Sequence, residues 1–359
     1  MIQPFKIGTV SIDPPTILAP MEGITDRPFR RMIRSLGGCG LTVTEFISSD
    51  QISKKTRRAW KMAEFDPDEH PVSIQIYGRH PHKMAEAAKI CQDLGADFVD
   101  LNLGCPSKKV TGGLSGSALM REPCLADEIF RAVKAAISIP MTVKMRLGWD
   151  SDYFAAPEIA RLAEEAGAQM VTIHGRTRMQ MYRGNADWAA IRKVVEARSI
   201  PVIVNGDILT VEDAVAAAKL SNAAGVMVGR GALRDPWILR RIGDHFAGLD
   251  PYEPTLDQRQ AHLLNYFELI ASESQTVRGA TGRMKKVTGY FTRGLPYGGD
   301  LRKSIYHSHD VEPIFDAVRN WFERLKAEDI KDGFVSIYSE PAVPNTDGDS
   351  RTFVERTST

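Results

Sequence analysis

The stretch Val99-Asp-Leu-Asn-Leu-Gly-Cys105-Pro-Ser-Lys-Lys-Val110 has the pattern of a buried strand that runs out into a polar loop. Apolar residues at 99, 101 and 103 alternate with polar or small residues, which is the period of a β-strand. A helical pattern over 81–94, ended by Gly95, comes directly before it. The strand is therefore expected to deliver the amide of Asn102 and the thiol of Cys105 to whatever lies above the sheet.

The same alternation of strand and helix continues in both directions along the chain. Eight short apolar segments are predicted as strands, over 16–20, 41–46, 72–77, 98–103, 141–146, 170–174, 201–205 and 225–229. Helical patterns lie between them, over 26–36, 52–62, 81–94, 125–137, 156–166, 188–197 and 211–218. Eight such units in about 230 residues predict an α/β fold of the (β/α)8 TIM-barrel type. A doubly wound open sheet is the alternative, but Ala19-Pro-Met-Glu-Gly23 is not the glycine-rich fingerprint typical of that fold.

The alternation stops near residue 250, which predicts a second unit. We assign 1–248 to the barrel, and Pro251 and Pro254 mark a linker. Residues 253–330 have only helical patterns and are predicted to form an all-α helical module, with an apolar stripe at Leu263, Leu264, Phe267 and Ile270. Residues 338–359 are rich in Pro, Asn, Thr, Gly, Asp and Ser, and we expect a disordered tail there.

Composition excludes several classes of protein. Of 359 residues, 43% are hydrophobic and 25% charged, as in an ordinary globular protein, and a net charge of +1 restricts any nucleic-acid surface to a local patch. The four cysteines have no C-x-x-C spacing, and His307 and His309 lack a third ligand, so no metal site is expected. We expect no signal peptide, because residues 1–6 have no apolar run behind a basic head, and no membrane helix, because no apolar run is long enough. We expect a cytoplasmic monomer with reduced cysteines, no membrane contact and no protein partner.

Polar residues interrupt or follow the apolar strands at the barrel end where sites form. They are Pro20-Met21, Gln75, Asn102 with Cys105, Lys144 with Arg146, His174 with Arg176, Asn205-Gly-Asp207 and Gly229-Arg230. The last two sets follow strands seven and eight, where barrels commonly hold a phosphate, although Asn-Gly-Asp alone is typical of a simple turn. A lysine in the middle of a strand, at Lys144, either snorkels to solvent or places an ammonium beside an anionic ring such as a reduced flavin.

Cys105 has two chemical interpretations besides that of a small buried apolar residue. A nucleophilic thiol needs a base, for which His174 is the candidate two strands away. A general acid needs only a protonated thiol near the reacting carbon. The sequence leaves these alternatives open at this point.

A basic segment lies in the helical module between Arg278 and Lys303. It contains seven Lys or Arg residues against Asp300 alone, with Tyr290, Phe291 and Tyr297 between them. Basic and aromatic residues together suit contact with RNA phosphates and bases. The alternative is a solvated helix face above core aromatics.

Several of these motifs together resemble the tRNA-dihydrouridine synthases, over residues 4–321. They are Ala19-Pro-Met-x-Gly-Ile-Thr-Asp-Arg-Pro-Phe29, Asn102-Leu-Gly-Cys-Pro106, Val143-Lys-Met-Arg146, Ile173-His-Gly-Arg-Thr-Arg178, Val204-Asn-Gly-Asp207 and Val228-Gly-Arg230. The segment 100–117 is the most specific, and its Lys-Lys-Val and Gly-Ser-Ala-Leu spellings resemble the bacterial B-type subgroup. Two features differ from the family pattern, namely Glu22 in place of a small residue and a loop at 111–114 without basic residues.

The resemblance implies an FMN enzyme in which NADPH reduces the flavin, which then passes a hydride to C6 of a uridine flipped out of tRNA. It implies that Cys105 protonates C5. The implied FMN-binding residues are Pro20, Met21, Gln75, Lys144, His174, Asn205, Asp207, Gly229 and Arg230. The implied substrate residues are Asn102, Arg178, Arg283, Lys285, Lys286 and Arg293. Two other hypotheses remain, an FMN oxidoreductase of a free pyrimidine or dihydroorotate-like molecule and a non-catalytic RNA-binding protein.

Overall fold

The computed structural model describes residues 2–328, so the tail predicted at 338–359 lies outside the described residues. Its eleven strands are β1 (Phe5–Ile7), β2 (Val10–Ile12), β3 (Thr16–Leu18), β4 (Leu41–Val43), β5 (Ile47–Ser48), β6 (Val72–Tyr77), β7 (Phe98–Leu103), β8 (Met141–Arg146), β9 (Met170–His174), β10 (Val202–Asn205) and β11 (Gly225–Val228). Strands β3 to β11 form one parallel sheet in the order β4-β3-β11-β10-β9-β8-β7-β6-β5. Pairing of β4 with β6 closes it, and the predicted (β/α)8 barrel is confirmed.

Helices separate the barrel strands and follow the last one. They are α1 (Arg27–Leu36), α2 (Ser49–Ser53), α3 (Arg57–Ala63), α4 (Pro81–Asp93), α5 (Lys108–Thr111), α6 (Pro123–Ala136), α7 (Ala156–Glu165), α8 (Arg192–Ala197), α9 (Val211–Ser221), α10 (Arg230–Arg234), α11 (Ile238–Phe246), α12 (Leu256–Glu273), α13 (Val277–Phe291), α14 (Gly298–His307) and α15 (Val311–Ala327). Two 3-10 helices, Gly116–Arg121 and Ala189–Ile191, complete the connections. Helix α1 begins as its sequence predicts, since the carboxylate of Asp26 accepts the N–H of Phe29 at 3.2 Å and Pro28 lies in the first turn.

The hairpin of β1 and β2 closes one end of the barrel. Its Ile7 and Ile12 are fully buried and pack in the barrel interior with Phe98, Met170 and Leu41. Those three are the first residues of their strands, so the hairpin covers the amino-terminal end of the barrel. The carboxyl-terminal end is left for a site, as in other barrels of this type.

Several local predictions were wrong in detail. The strand predicted over 41–46 ends at Val43, and β5 follows only at 47–48. The helix predicted over 52–62 is two short helices, with Lys55 at a φ of 51° between them. The hairpin β1–β2 and the helices α10 and α11 were not predicted. Strands of three residues are too short for their periodicity to be recognised in the sequence.

The chain after the barrel is helical up to residue 328, as predicted, and α12 to α15 lie there. In the expected apolar stripe Leu263, Phe267 and Ile270 are buried, and Leu264 is partly buried. Tyr266 of the same helix packs edge-on against Phe29 of α1, with ring centroids 5.9 Å apart. Within the described residues, no helix has the length and apolar character needed to cross a membrane.

Candidate active site

The predicted site residues come together at the carboxyl-terminal end of the barrel because neighbouring strands are in register there. Asn102 on β7 is paired with Lys144 on β8. Arg146 on β8 is paired with His174 on β9, which is paired in turn with Asn205 on β10. One edge of the barrel mouth thus carries an amide, three cationic or imidazole side chains and a second amide in sequence.

A chain of hydrogen bonds runs through the buried side chains below Cys105. The hydroxyl of Thr142 donates to Oδ1 of Asp100 at 2.5 Å, and Nε2 of Gln75 donates to Oδ2 of the same carboxylate at 2.6 Å. Nδ2 of Asn102 donates to Oε1 of Gln75 at 2.7 Å. Oδ1 of Asn102 then accepts the backbone N–H groups of residues 104 and 105 at 3.0 and 2.9 Å. Burial raises the pKa of Asp100, and the bonds from Gln75 and Thr142 oppose this by favouring the carboxylate. As a carboxylate, Asp100 accepts from the Gln75 amide and so fixes its orientation, and through it the orientation of Asn102 and of the backbone that carries Cys105.

The loop that carries Cys105 is also held from its other side. The carbonyl of Cys105 accepts the backbone N–H of Ser117 at 3.1 Å and the hydroxyl of Ser117 at 2.9 Å. Gly116 has a φ of 60°, and a Cβ there would lie 2.9 Å from the carbonyl oxygen of Cys105, so this position requires glycine. The thiol itself is only partly buried at the barrel mouth.

Burial raises the pKa of the Cys105 thiol, and Glu22 raises it further, against the opposing effects of the Ser107 N–H, Arg146 and Lys144. The thiol is therefore protonated at neutral pH. The pKa of His174 is well below its usual value because of burial and of the neighbouring cations. Within residues 2–328, His174 Nδ1 is buried without a hydrogen-bond partner and makes no bond to Cys105. This arrangement favours an acid over a histidine-activated nucleophile.

Two more cations define the electrostatics of the mouth. Burial and the neighbouring Arg146 lower the pKa of Lys144 to about 8, although Asp100 and Cys105 act in the opposite direction. Burial lowers the pKa of Arg146 to about 10. The Arg146 guanidinium joins two loops, since it donates to the carbonyls of Gly104 and Thr177, both at 2.8 Å.

The turn after β10 is organised around Asp207. Its carboxylate accepts both arms of the Arg176 guanidinium, at 2.8 and 2.5 Å, a bond from Arg230 at 3.1 Å, and the Ala186 N–H at 2.8 Å. Asp207 therefore holds two arginines in place, and its oxygens are already shared among protein donors. Asn205 is likewise engaged, since its Nδ2 donates to the carbonyl of Met227 at 2.8 Å.

Several backbone N–H groups lie close together where strands β10 and β11 end. In the described part of the chain, the N–H groups of Gly206, Asp207, Gly229 and Arg230 donate to no other backbone group. A Cβ on Gly229 would lie 3.7 Å from Sδ of Met21, so the predicted Pro20–Met21 segment lies beside them. Free N–H groups near Arg230 are suited to an anion such as a phosphate.

The predicted substrate residues lie in two places. Asn102 and Arg178 are at the mouth, where Arg178 lies over the Trp149 ring, 4.7 Å from its centroid. Arg121 also lies over that ring, at 5.0 Å. The remaining four lie on α13 and the turn after it. Arg283 bonds Asp26, and Lys286 bonds the carbonyl of Gly23. Lys285 lies 5.8 Å from the Tyr306 ring centroid, and Arg293 is exposed.

Sequence reasoning did not assign a role to Asp100, Thr142 or Tyr182. Asp100 and Thr142 are wholly or almost wholly buried polar residues in strands, and a carboxylate in a buried strand is a recognisable signal of an internal hydrogen-bond partner. Tyr182 is half exposed at the mouth, and the Arg230 guanidinium lies 5.0 Å from its ring centroid. No pattern in the sequence distinguishes Tyr182 from an ordinary loop residue.

Comparison with known proteins shows which family this chain resembles. The profile of the Dihydrouridine synthase (Dus) family matches residues 17–322. The chain is similar to a probable tRNA-dihydrouridine synthase of Rickettsia bellii, with 41% identity over 88% of this chain and 97% of the relative. It is also similar to a probable tRNA-dihydrouridine synthase of Rhodobacter capsulatus, with 49% identity over 74% and 83%.

One further relative and one solved structure are also similar to this chain. A tRNA-dihydrouridine synthase B of Xanthomonas axonopodis pv. citri is 37% identical over 90% of this chain and 97% of its own. Among solved structures, a 2-naphthoyl-CoA reductase complex matches with a TM-score of 0.53 and 13% identity, over 69% of this chain and 52% of the other, and this likeness shows the fold alone. With the family profile spanning the barrel and most of the helices after it, this chain belongs to the dihydrouridine synthase family.

Proposed function

We propose that this chain is a tRNA-dihydrouridine synthase in which Cys105 donates the proton that completes reduction of a uridine. Membership of the dihydrouridine synthase family and the names of its relatives support this activity over a reductase of free pyrimidines. The observation that carries the mechanism is the position of Cys105 at the barrel mouth, on a backbone that the oriented amide of Asn102 holds.

The residues at the mouth fit FMN as the cofactor. The unused N–H groups of Gly206, Asp207, Gly229 and Arg230, with the guanidinium of Arg230, suit its phosphate. Lys144 and the unpartnered Nδ1 of His174 lie on the two neighbouring strands β8 and β9 and suit the polar edge of its ring. FMN, once reduced by NADPH, would supply the hydride that adds to C6 of the uracil.

The chain's own residues supply the proton and its control. Hydride addition at C6 leaves negative charge over C5 and O4 of the uracil, and a thiol above C5 quenches it. The resulting thiolate lies near Lys144 and Arg146, whose charges stabilise it until solvent returns the proton. Asn102 orients the loop beneath, so the thiol keeps one position relative to the mouth.

We assign recognition of the RNA to the helices after the barrel, residues 253–328. Lys285 and Arg293 lie in the basic segment on and after α13. A uridine inside folded tRNA must leave its stack to reach a barrel mouth, and contacts on both sides of the flipped nucleotide favour this. Arg178 on Trp149 at the mouth is suited to the phosphate or base on the barrel side. Use of NADPH, a cytoplasmic location and a monomeric state belong to the same proposal.

The test uses the purified full-length protein, Cys105→Ala and Cys105→Ser with tRNA that lacks dihydrouridine. We expect a flavin spectrum and reduction by NADPH in all three, because Cys105 does not hold the cofactor. Dihydrouridine formation, measured by mass spectrometry, should fall by roughly 100-fold or more in both variants. A colourless wild-type protein would contradict the proposed flavin-dependent activity. Full activity in Cys105→Ala would contradict only the role of the thiol.

A further inference from the structure

The loop between β3 and α1 is held by a helix that lies outside the barrel. Nζ of Lys286 on α13 donates to the carbonyl of Gly23 at 3.0 Å. One turn earlier on the same helix face, the Arg283 guanidinium bonds the carboxylate of Asp26, the N-cap of α1. Two points of the loop between β3 and α1 are therefore held by α13.

The peptide groups of Gly23 are held from both sides. Its N–H donates to Oε1 of Glu45, which lies between β4 and β5 and is only 8% exposed. Its φ of 65° favours glycine, and a Cβ there would lie 3.1 Å from Nζ of Lys286. The carboxylate of Glu45 and the ammonium of Lys286 thus hold the N–H and the carbonyl of this residue.

Helix α13 contributes part of the positive charge that faces the carboxylates of this loop, beside Arg30 of α1. Glu22, Asp26 and Glu45 come from the barrel, and Lys286 and Arg283 come from α13. Burial raises the pKa of Glu45, and the neighbouring Asp26 raises it further. Burial lowers the pKa of Lys286, while the three carboxylates oppose this. Removal of the ammonium would leave the carboxylates with less compensation in a half-buried site.

The loop leads directly into the predicted cofactor site. The N–H of Met21 donates to the hydroxyl of Thr25 at 2.9 Å, and the carbonyl of Met21 accepts the N–H groups of Ile24 and Thr25 at 3.1 and 3.0 Å. Residues 21–25 therefore form one hydrogen-bonded turn. Sδ of Met21 lies beside Gly229, next to the unused backbone donors.

We propose that Lys286 is a positioning residue that fixes the Gly23 turn, and through it the Pro20–Met21 segment, against the cofactor pocket. This inference rests on the proposed function. It gives Lys286 a second role beside RNA contact: the helix that meets the RNA also sets the affinity of the barrel for its cofactor.

A matched control exists at the same junction. Nζ of Lys61 on α3 donates to the carbonyl of Glu273 on α12 at 2.9 Å, so it too joins barrel and helices through one lysine–carbonyl bond. Lys61→Met removes the same kind of bond, but away from the Gly23 turn. A general loosening of the junction would affect both variants, whereas positioning of the turn is specific to Lys286→Met.

The experiment compares the full-length wild type, Lys286→Met, Lys286→Arg and Lys61→Met after removal of flavin. FMN affinity is measured by fluorescence quenching, and hydrogen exchange is followed over residues 20–26 without FMN. We expect Lys286→Met to weaken FMN binding about tenfold, the size of one charge-assisted hydrogen bond, and to speed exchange in the turn. Lys286→Arg should restore most of the affinity, and Lys61→Met should match the wild type.

The outcomes separate the two proposals. A wild type that does not bind FMN contradicts the proposed function. A wild type that binds FMN, with Lys286→Met binding equally well, overturns the positioning role alone, and so does equal weakening by Lys61→Met. Thermal unfolding checks each variant, and Lys286→Gln, which keeps a shorter donor, takes the place of Lys286→Met if that variant does not fold.

Discussion

Substitution of Gln75 by Glu tests the hydrogen-bond chain beneath Cys105 by changing a single atom. In the wild type, Nε2 of Gln75 donates to Asp100 and Oε1 accepts from Asn102. An ionised carboxylate at position 75 would place two acceptors face to face in a site where Gln75 is 0% exposed and Asp100 is 3% exposed. A protonated carboxyl would restore the original pattern, because its O–H donates to Asp100 as the amide does.

The magnitude follows from the proton that the folded variant must hold. An unfolded Glu has a pKa of about 4.3, and one pH unit corresponds to about 1.36 kcal/mol. Keeping the new carboxyl protonated in the folded protein therefore costs about 1 kcal/mol at pH 5 and about 3.7 kcal/mol at pH 7. Because the folded-state pKa is raised above the unfolded one, stability is retained below pH 4 and lost as the pH rises.

The assay is urea unfolding of the wild type and Gln75→Glu at pH 5 and pH 7, followed by tryptophan fluorescence. The difference in unfolding free energy should grow by about 2.7 kcal/mol between the two pH values. Gln51→Glu, at an exposed position on α2, is the control and should show no such growth. A loss that is equal at both pH values, or no loss at pH 7, would refute the assigned direction of the hydrogen bonds.

Three further predictions concern the charges of the site. Because burial raises the pKa of Cys105, its alkylation by iodoacetamide in a Cys124→Ser background should accelerate about tenfold per pH unit from 6 to 8.5, and a plateau near pH 7 would contradict a protonated thiol. Because the pKa of Lys144 falls from 10.5 to about 8 on folding, Lys144→Met should stabilise the flavin-free protein at pH 7 by up to about 3 kcal/mol. That gain in unfolding free energy, measured by urea unfolding, should shrink between pH 8 and pH 10.5. A gain that stays constant over this pH range would disprove its electrostatic origin. Arg293→Ala should reduce the dependence of tRNA affinity on salt, lowering the log–log slope by about 1 in filter-binding titrations, and an unchanged slope would remove Arg293 from the RNA surface.

The sequence predicted the barrel and the mouth because both depend on local patterns. Buried parallel strands are apolar throughout, so a polar residue such as Gln75 or Lys144 stands out within them. Glycines at 206 and 229 indicate turns without any knowledge of neighbours. Alternation of strand and helix then determines that all strand ends meet on one face.

The hydrogen-bond partners were not predictable, because they depend on the register between strands. Gln75 reaches Asp100 only because β6 and β7 pair at those two residues. Asp207 was expected beside a cofactor phosphate, yet its carboxylate is occupied by Arg176 and Arg230. A basic run also does not reveal which face of its helix is covered, and for this reason Arg283 and Lys286 were expected only at RNA, whereas both bond to the barrel.

The pKa values of neighbouring groups at the barrel mouth shift in opposite directions, and these shifts bear on the charge of the ligand that the pocket suits. Lys144 and Arg146 lie near Cys105 and favour its thiolate, yet burial outweighs them and the pKa of the thiol rises. Burial lowers the pKa of Lys144 and of His174, and the neighbouring Arg146 lowers both further, so several cationic or imidazole groups lie close together at these strand ends. An anion bound across these strand ends would relieve that repulsion, raise the pKa of Lys144 and stabilise the fold together. These cations therefore suit an anionic ligand of the pocket, and the raised pKa of Cys105 suits the proton donor that we propose.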